Sequence, residues 1–481
     1  MCRSIPRPLA WRRFTWENAE LDTVGQCSVT QARTELAGLI EGAFSQWQHR
    51  CDHTTWLLTC PTVTIPSLNV YDWMALQPAG TQLLWQGRDD DLLMAGIGKA
   101  DVVAGGAGDT YDHLLERCRR YISGAEDVRY YGGFAFQPSS VDDDRWCRFG
   151  PSRFILPRFE VRQQAGATVL RCNLLFRHDH PLDQAQITSE LMALRFPTRP
   201  ADRSLPPILD RTDYPDEMAW SGNVLAALEL INNQVLEKIV LARRADYRFA
   251  ESVSSARILA RLHPVTSDCF HFHFQPDEHV AFMGTTPERL FKRSGRKIWS
   301  EVLAGTRPRS VDPLEDQAFS DDLLNSAKEQ REHHIVRKSI RQKLHMLCEE
   351  LDVEEEAALL KLERKQHLRS RVEGRLSPST TDADLLRQLH PTPAVGGYPR
   401  ENALAEIPAL EPFCRGWYAA PIGWVSAEEA EFAVAIRSGL VQGDTVSVYS
   451  GAGIVAGSVP EEEWQEIENK ISDFVKVTSA V

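Results

Sequence analysis

Three groups of residues in this sequence have types and spacings that chemistry could use. In Pro460-Glu-Glu-Glu-Trp-Gln-Glu-Ile-Glu-Asn-Lys470, about 100° per residue gathers Glu463, Glu466 and Lys470 along one flank of an apolar stripe of Trp464, Ile467, Ile471 and Phe474. Two carboxylates one turn apart above a lysine suit a hard cation beside an anion. The same residues also suit a solvated amphipathic helix with an i,i+4 pair from Glu466 to Lys470. Glu461 and Glu468 point elsewhere and read as surface acids. A long helix is expected over roughly Leu314 to Leu351, with Glu329 and Glu332 on the side of Val336, Ile340 and Leu347. Carboxylates facing a core are costly unless paired or bound to metal. The acids of the two helices could share one oxygen-liganded divalent cation, and Mg2+ fits such donors; two helices exposing their acids to water fit the pattern equally.

The second group is Lys238 and Glu288. Lys238 stands where a helix hands over to an apolar strand, and desolvation there would favour the neutral amine that a general base requires. A surface lysine at a strand start is the plainer alternative. Gly284-Thr-Thr-Pro-Glu-Arg-Leu290 follows a strand, and its turn residues could present Glu288 inward or leave it paired with Arg289. The third group reads as anion contacts. In Glu431-Phe-Ala-Val-Ala-Ile-Arg-Ser438, small residues lead along one strand face to Arg437, whose guanidinium could grip a carboxylate or simply edge a strand in water. Tyr449-Ser-Gly-Ala-Gly453 runs from a strand into an expected glycine turn with bare N–H groups. His390, in the rigid loop HPTPAVGG, reads more readily as a structural histidine than as a participant.

These residues must be held by a mixed architecture. Helices are expected over Thr30–Trp47, Tyr111–Ile122 and Met218–Glu237; strands fill Trp56–Leu93, Val128–Phe136, Phe154–Val161 and Lys238–Phe249. Phe270-His-Phe-His-Phe-Gln275 and Glu278-His-Val-Ala-Phe-Met283 read as a hairpin. Met94-Ala-Gly-Ile-Gly-Lys-Ala100 lacks the spacing and hydroxyl of a phosphate loop and reads as a glycine-rich strand edge. Asp142 to Asp144 reads as a loop. The proline-rich stretch from Pro197 to Pro215 marks the best boundary, dividing residues 1–205 from 206–481. There is no βαβ rhythm and no tandem repeat, so the expected class is α+β with antiparallel sheets.

Composition narrows the function classes. The 481 residues, 43% hydrophobic, suffice for a large core, and a net charge of −13 with no long basic run argues against nucleic-acid or anionic-membrane partners. Ten scattered cysteines with no CxxC pair fit a reducing compartment. With no signal-like or membrane-spanning apolar run in view, a cytoplasmic location is expected.

Taken in order, KIVLAR, GTTPERL, the LAGT turn, KEQREHHIV, HPTPAVGG, FAVAIRS, GAGIVAGS and EEEWQEIENK resemble the chorismate-binding enzyme family, which includes isochorismate, salicylate, anthranilate and aminodeoxychorismate synthases. The resemblance covers about Met218 to Val475, and the RYYGGFAF strand is similar to the first half of the isochorismate synthase branch. It implies one α+β unit of large antiparallel sheets flanked by helices, with residues 1–205 packed against the catalytic region 206–481 and the active site in a cleft. It further implies that Lys238 activates water for attack at chorismate C2 and that Glu288 protonates the departing C4 hydroxyl. Glu332 and Glu466 would hold Mg2+, with Glu463 a further ligand and Glu329 a weaker candidate. Arg437 and Lys470 would hold the enolpyruvyl carboxylate, while Gly305, Gly451, Ala452 and Gly453 would line the substrate site. Ser450 departs from the alanine usual before GAGIV.

Amine-transferring relatives generally lack the lysine, so water is the expected nucleophile and no glutaminase partner is required. Salicylate synthases share Lys238 and go on to eliminate pyruvate, whereas HPTPAVGGYP and the long first half resemble stand-alone isochorismate synthases. A non-catalytic binder of the same fold is the third possibility. In this family isochorismate serves menaquinone, salicylate or catecholate-siderophore assembly.

Overall fold

The computed structural model describes residues 28–50, 56–89, 92–106, 108–125, 127–138, 143–266, 268–363 and 365–479. Residues 1–27, and Asp142 of the acidic tract, lie outside the described residues. In the first half the strands that matter are β1 (Gln82–Gln86), β2 (Leu93–Ile97), β3 (Asp101–Gly105), β4 (Tyr130–Phe134), β5 (Ser152–Leu156), β6 (Phe159–Gln164) and β7 (Ala167–Cys172). In the second half they are β8 (Lys238–Phe249), β9 (Phe270–Asp277), β10 (Val280–Thr286), β11 (Arg289–Ser294), β12 (Lys297–Pro308), β13 (Lys365–Leu376), β14 (Pro421–Val425), β15 (Glu429–Val434), β16 (Ser438–Gln442) and β17 (Thr445–Val455). The site also uses two helices, α1 (Ala327–His345) and α2 (Pro460–Ser479).

The strands form two large antiparallel sheets. One runs β8-β17-β16-β10-β9-β1-β2-β6-β7, and the other runs β13-β12-β11-β15-β14-β4-β5-β3. Both sheets therefore pass from one half of the chain into the other, through the pairs β9–β1 and β14–β4. Apolar residues from both halves join a single core cluster, which includes Trp85, Phe154, Phe282, Phe432 and Tyr449. Strands that pack on both faces read as continuous apolar runs, and β10 is buried at every position.

Each half traces the same path. β1–β2 crosses into β3 of the other sheet, and β4–β5 crosses back to β6–β7. In the second half β9–β10 crosses to β11–β12, and β14–β15 crosses back to β16–β17. The sequence shows no tandem repeat, yet the topology is repeated. Glu288 and Arg437 stand at the two crossings of the second half.

Several expectations change. The Trp56–Leu93 stretch includes a helix, Val70–Leu76, begun by the Asn69 side chain accepting the Asp72 N–H at 2.9 Å. The expected helix over Leu314–Leu351 divides into Pro313–Asn325 and α1, because Ser326 caps α1 by accepting from the Glu329 N–H, and the chain is extended again by Cys348. The alternating strand around Arg437 ends at Val434, so Arg437 lies in the crossing with a left-handed φ of 50°. Gly451–Gly453 form no turn. They lie inside β17, where Val240, Leu241 and Ala242 of β8 pair with Gly453, Ala452 and Gly451. β2 is an interior strand between β1 and β6 rather than an edge. Among the described residues, no helix is long and apolar enough to cross a membrane.

Candidate active site

Lys238 opens β8 and is fully buried, 0% exposed. Its Nζ donates to Glu332 Oε1 at 2.7 Å. Space for the lysine comes from Gly453: a Cβ there would lie 2.9 Å from both Lys238 Cε and Glu332 Oε1. Because strand side chains alternate, Gly451 and Gly453 face this side of β17 and Ala452 packs on the other. Glu332 comes from α1, and the Glu332 carboxylate, not Lys238, borders the small inner cavity of about 100 Å³. That cavity is lined by Glu288, Arg437, Glu466, Lys470, Gly305 and Gly451, among others, and by Ser450. Thr306, Glu466 and Lys470 also line an outer cleft of about 680 Å³, which continues past Arg307, Arg309 and Lys365.

Glu288 sits at the β10–β11 crossing, and the Glu288 carbonyl accepts the Val434 N–H of the adjoining crossing at 3.0 Å. Burial, reinforced by the Glu301 carboxylate, pushes its carboxyl up to about 8 against the opposing pull of Lys238, with Glu332 adding to the rise. Such a group holds its proton at neutral pH. At the other crossing Arg437 Nη2 lies 3.1 Å from His367 Nε2. His367 Nδ1 lies 3.0 Å from the Gly305 carbonyl, which can only accept; Nδ1 therefore carries the proton and Nε2 is left to accept from Arg437. Burial, and then Arg437 itself, hold His367 well below the usual histidine range and so neutral.

The acids of α1 and α2 converge opposite this face, and each is met by a cation. Glu463 Oε1 accepts from Lys328 Nζ at 2.6 Å, Glu466 Oε1 lies 2.7 Å from Lys470 Nζ, and Glu329 Oε1 accepts from Arg307 at 3.0 Å. Lys470 also donates to the Gly451 carbonyl at 2.8 Å. Burial raises Glu463, helped by repulsion from Glu466, and burial raises Glu329, helped by Glu332. For Glu466 burial is outweighed by Lys470 and Lys328, which hold it below the ordinary carboxylate range. Glu463 Oε2 is buried without a hydrogen-bond partner. Among the described residues, no three acid, histidine or cysteine side chains are drawn together closely enough to hold an ion. The donor chemistry nevertheless fits a hard cation: crowded carboxylates, an orphaned oxygen, and lysines occupying the other oxygens.

The structure thus brings Glu288, Glu332, Glu466, Arg437, Lys470, Gly305 and Gly451 around one cavity, with Lys238 and Glu463 behind that lining. Ala452 turns away, and His390 is structural, its Nε2 3.0 Å from the Phe136 carbonyl. Glu468 is no ordinary surface acid. It pairs with Arg211 and with fully buried Arg243, which stacks 3.7 Å over Trp464 and fixes the outer side of α2. Sequence reasoning missed His367 and Tyr418; the latter lines the cavity and stacks on Tyr449 at 5.3 Å. The alternation in Gln366-His-Leu-Arg-Ser370 marks a strand, but nothing local says that the histidine meets an arginine 70 positions away.

Known proteins can be set beside this geometry. Residues 42–479 match the family model described as chorismate binding enzyme. The chain is 33% identical over 414 residues to isochorismate synthase MenF of Escherichia coli, spanning 85% of this chain and 91% of that protein. It is 37% identical over 374 residues to chloroplastic isochorismate synthase 2 of Arabidopsis thaliana, spanning 74% of this chain and 66% of that protein. The solved structure of the E. coli menaquinone-specific isochorismate synthase superposes with a TM-score of 0.80 at 31% identity, covering 92% of this chain and 100% of that one. Anthranilate synthase component I of Streptococcus pneumoniae shares the fold, with a TM-score of 0.64 at 21% identity. With a family model matching residues 42–479 and a relative 33% identical over 85% of its length, the chain belongs to the chorismate binding enzyme family.

Proposed function

We propose that this protein is an isochorismate synthase that converts chorismate to isochorismate with the help of Mg2+. One observation carries the reading: a carboxyl that keeps its proton at neutral pH lines the cavity, and a fully buried lysine stands directly behind that lining, 2.7 Å from Glu332. Arg437 and Lys470 hold the enolpyruvyl carboxylate. As a water oxygen bonds to C2, Lys238 takes its proton. The ring double bonds shift from C1=C2 and C5=C6 to C1=C6 and C4=C5, and the C4–O bond breaks. The departing hydroxyl takes the Glu288 proton and leaves as water, so atoms and charge balance. Lys238 Nζ donates to Glu332 Oε1 in this structure, and only the neutral amine, with its lone pair turned to the water, can take the proton. Mg2+, which Glu332 and Glu466 would hold with Glu463 as a further ligand, would when bound supply positive charge against the ring carboxylate of chorismate. The buried free thiols Cys118, Cys172 and Cys269 support a reducing compartment, as a cytoplasmic enzyme would have.

The test is chromatography of the products that purified protein makes from chorismate and Mg2+. Isochorismate alone is expected. Salicylate with pyruvate, or an absence of conversion, would overturn the reading.

A further inference from the structure

Glu288 stands between Pro287 and Arg289, and both neighbours are tied to one ion pair. Arg88, in the β1–β2 hairpin loop of the first half, forks onto the two Glu301 oxygens at 2.7 and 2.8 Å. The same guanidinium donates to the Pro287 carbonyl. Glu301, on β12 of the second half, accepts the Arg289 N–H at 2.8 Å. The two side chains are 5% and 4% exposed. Around them, Arg88 and Arg289 lie over the Phe270 ring at 5.3 and 5.2 Å, and Asp89 reaches Arg289 at 2.8 Å.

A buried ion pair is a poor stabiliser, because desolvating two charges offsets most of their attraction. It is a good locator, since a forked guanidinium–carboxylate contact fixes direction as well as distance. This one has spare donors and acceptors aimed at the backbone on each side of a single residue. We infer that the Arg88–Glu301 pair is a positioning clamp through which the first half of the chain places the Glu288 carboxyl for proton delivery. The inference rests on the proposed isochorismate synthase reaction. The clamp touches no reacting atom; it acts through Glu288.

The test compares Arg88→Met, Arg88→Lys and Glu301→Gln with the wild-type protein, whose turnover of chorismate is established first. Failure of the wild type to turn over counts against the reaction; with that turnover in hand, only the variants judge the clamp. Misplacing a reacting group by about 1 Å costs roughly 10- to 100-fold. Arg88→Met is therefore expected to lower kcat by that amount with KM within about twofold, and Arg88→Lys, which restores one charged donor, to recover part of it. Glu301→Gln keeps the shape but weakens the fork, so it should lower kcat while KM and equilibrium binding of chorismate stay unchanged. If Arg88→Met does not fold, Glu301→Gln decides. Wild-type kcat in Glu301→Gln, or a fall in which kcat and substrate affinity drop together without rescue by lysine, would overturn the clamp.

Discussion

The molecule builds the same pair of sheet crossings twice and puts chemistry in one of them. In the second half, the crossings at Pro287–Glu288 and Ala435–Arg437 are tied by Val434 N–H to the Glu288 carbonyl at 3.0 Å and Thr285 N–H to the Arg437 carbonyl at 3.2 Å. In the first half, the crossings at Gly98–Ala100 and Pro157–Arg158 are tied by Ala100 N–H to Leu156 at 2.8 Å and Arg158 N–H to Gly98 at 3.3 Å. Each seam carries a buried or half-buried arginine. Arg158 donates to the Asn173 carbonyl at 2.6 Å, and Asn173 in turn donates to the Pro157 carbonyl at 2.9 Å, so that seam closes on its own backbone. Arg437 is held from behind by neutral His367 and borders the cavity. Just before the strand that follows the crossing, the first seam has Ala100 where the second has Glu288. Topology thus supplies two close, rigid crossings, and only an acid, a lysine and an unspent guanidinium convert one of them into a site.

The largest effects should fall on the second seam alone. Losing a general acid or base typically costs 10²- to 10⁴-fold. Glu288→Gln and Lys238→Ala are each expected to lower kcat by about that range while chorismate still binds, measured by turnover and equilibrium binding. Turnover near wild type in Lys238→Ala would remove the base from its assigned place. Glu288→Gln should also become more stable in one pH range. Its folded-state value lies above the ordinary 4.5, at about 8, so keeping it costs folding stability. That cost is absent below the unfolded value, grows as pH rises through the interval and is level above about 8. The melting temperature of Glu288→Gln should match the wild type near pH 4 and exceed it at pH 8.

A smaller contrast separates the two arginines. Truncating one partner of a desolvated charge contact costs about 2 kcal/mol or more, a roughly thirtyfold rise in KM, and this is the expectation for Arg437→Ala. Arg158→Met should leave kcat and KM unchanged and instead remove about 2 kcal/mol of stability, the order of a hydrogen bond from a charged donor. A KM change in Arg158→Met, read in steady-state kinetics, would mean that the first seam is not inert.

What the sequence made legible follows the range of the interactions. Glu463, Glu466 and Lys470 were readable because a helix projects a local 3.6-residue period, and all three prove to be on the inner side of α2. Lys238, Glu288 and Arg437 were readable as types at element ends, and the family motifs gave them roles. The antiparallel α+β class was readable from alternation and the lack of βαβ units. The duplicated topology was not, because each half reaches the same path with different residues. Nor were Arg88, Glu301 and His367, whose partners lie far away in the chain. Gly451–Gly453 misled for the opposite reason: a local glycine pattern suggests a turn, whereas pairing with β8 makes it a strand whose missing side chains leave room for Lys238.

The finest distinction between the seams is electrostatic and shows as a pH shift. The first seam presents no acid to tune, whereas in the second the groups facing Glu288 are Glu301 from β12, Lys238 from β8 and Glu332 from α1. For an acid that must stay protonated, kcat/KM holds at lower pH and falls as pH rises through its value, here about 8. After burial, Glu301 is the largest cause of that elevation. Glu301→Gln removes a like charge, so the alkaline limb should move to lower pH by about one unit, equivalent to ~1.4 kcal/mol. Glu301→Asp keeps the charge and should move the limb much less, even where its shorter reach lowers kcat. If both variants keep the wild-type limb, Glu288 is not the group whose proton the profile reports, and the second seam would differ from the first in its cavity and arginine rather than in its acid.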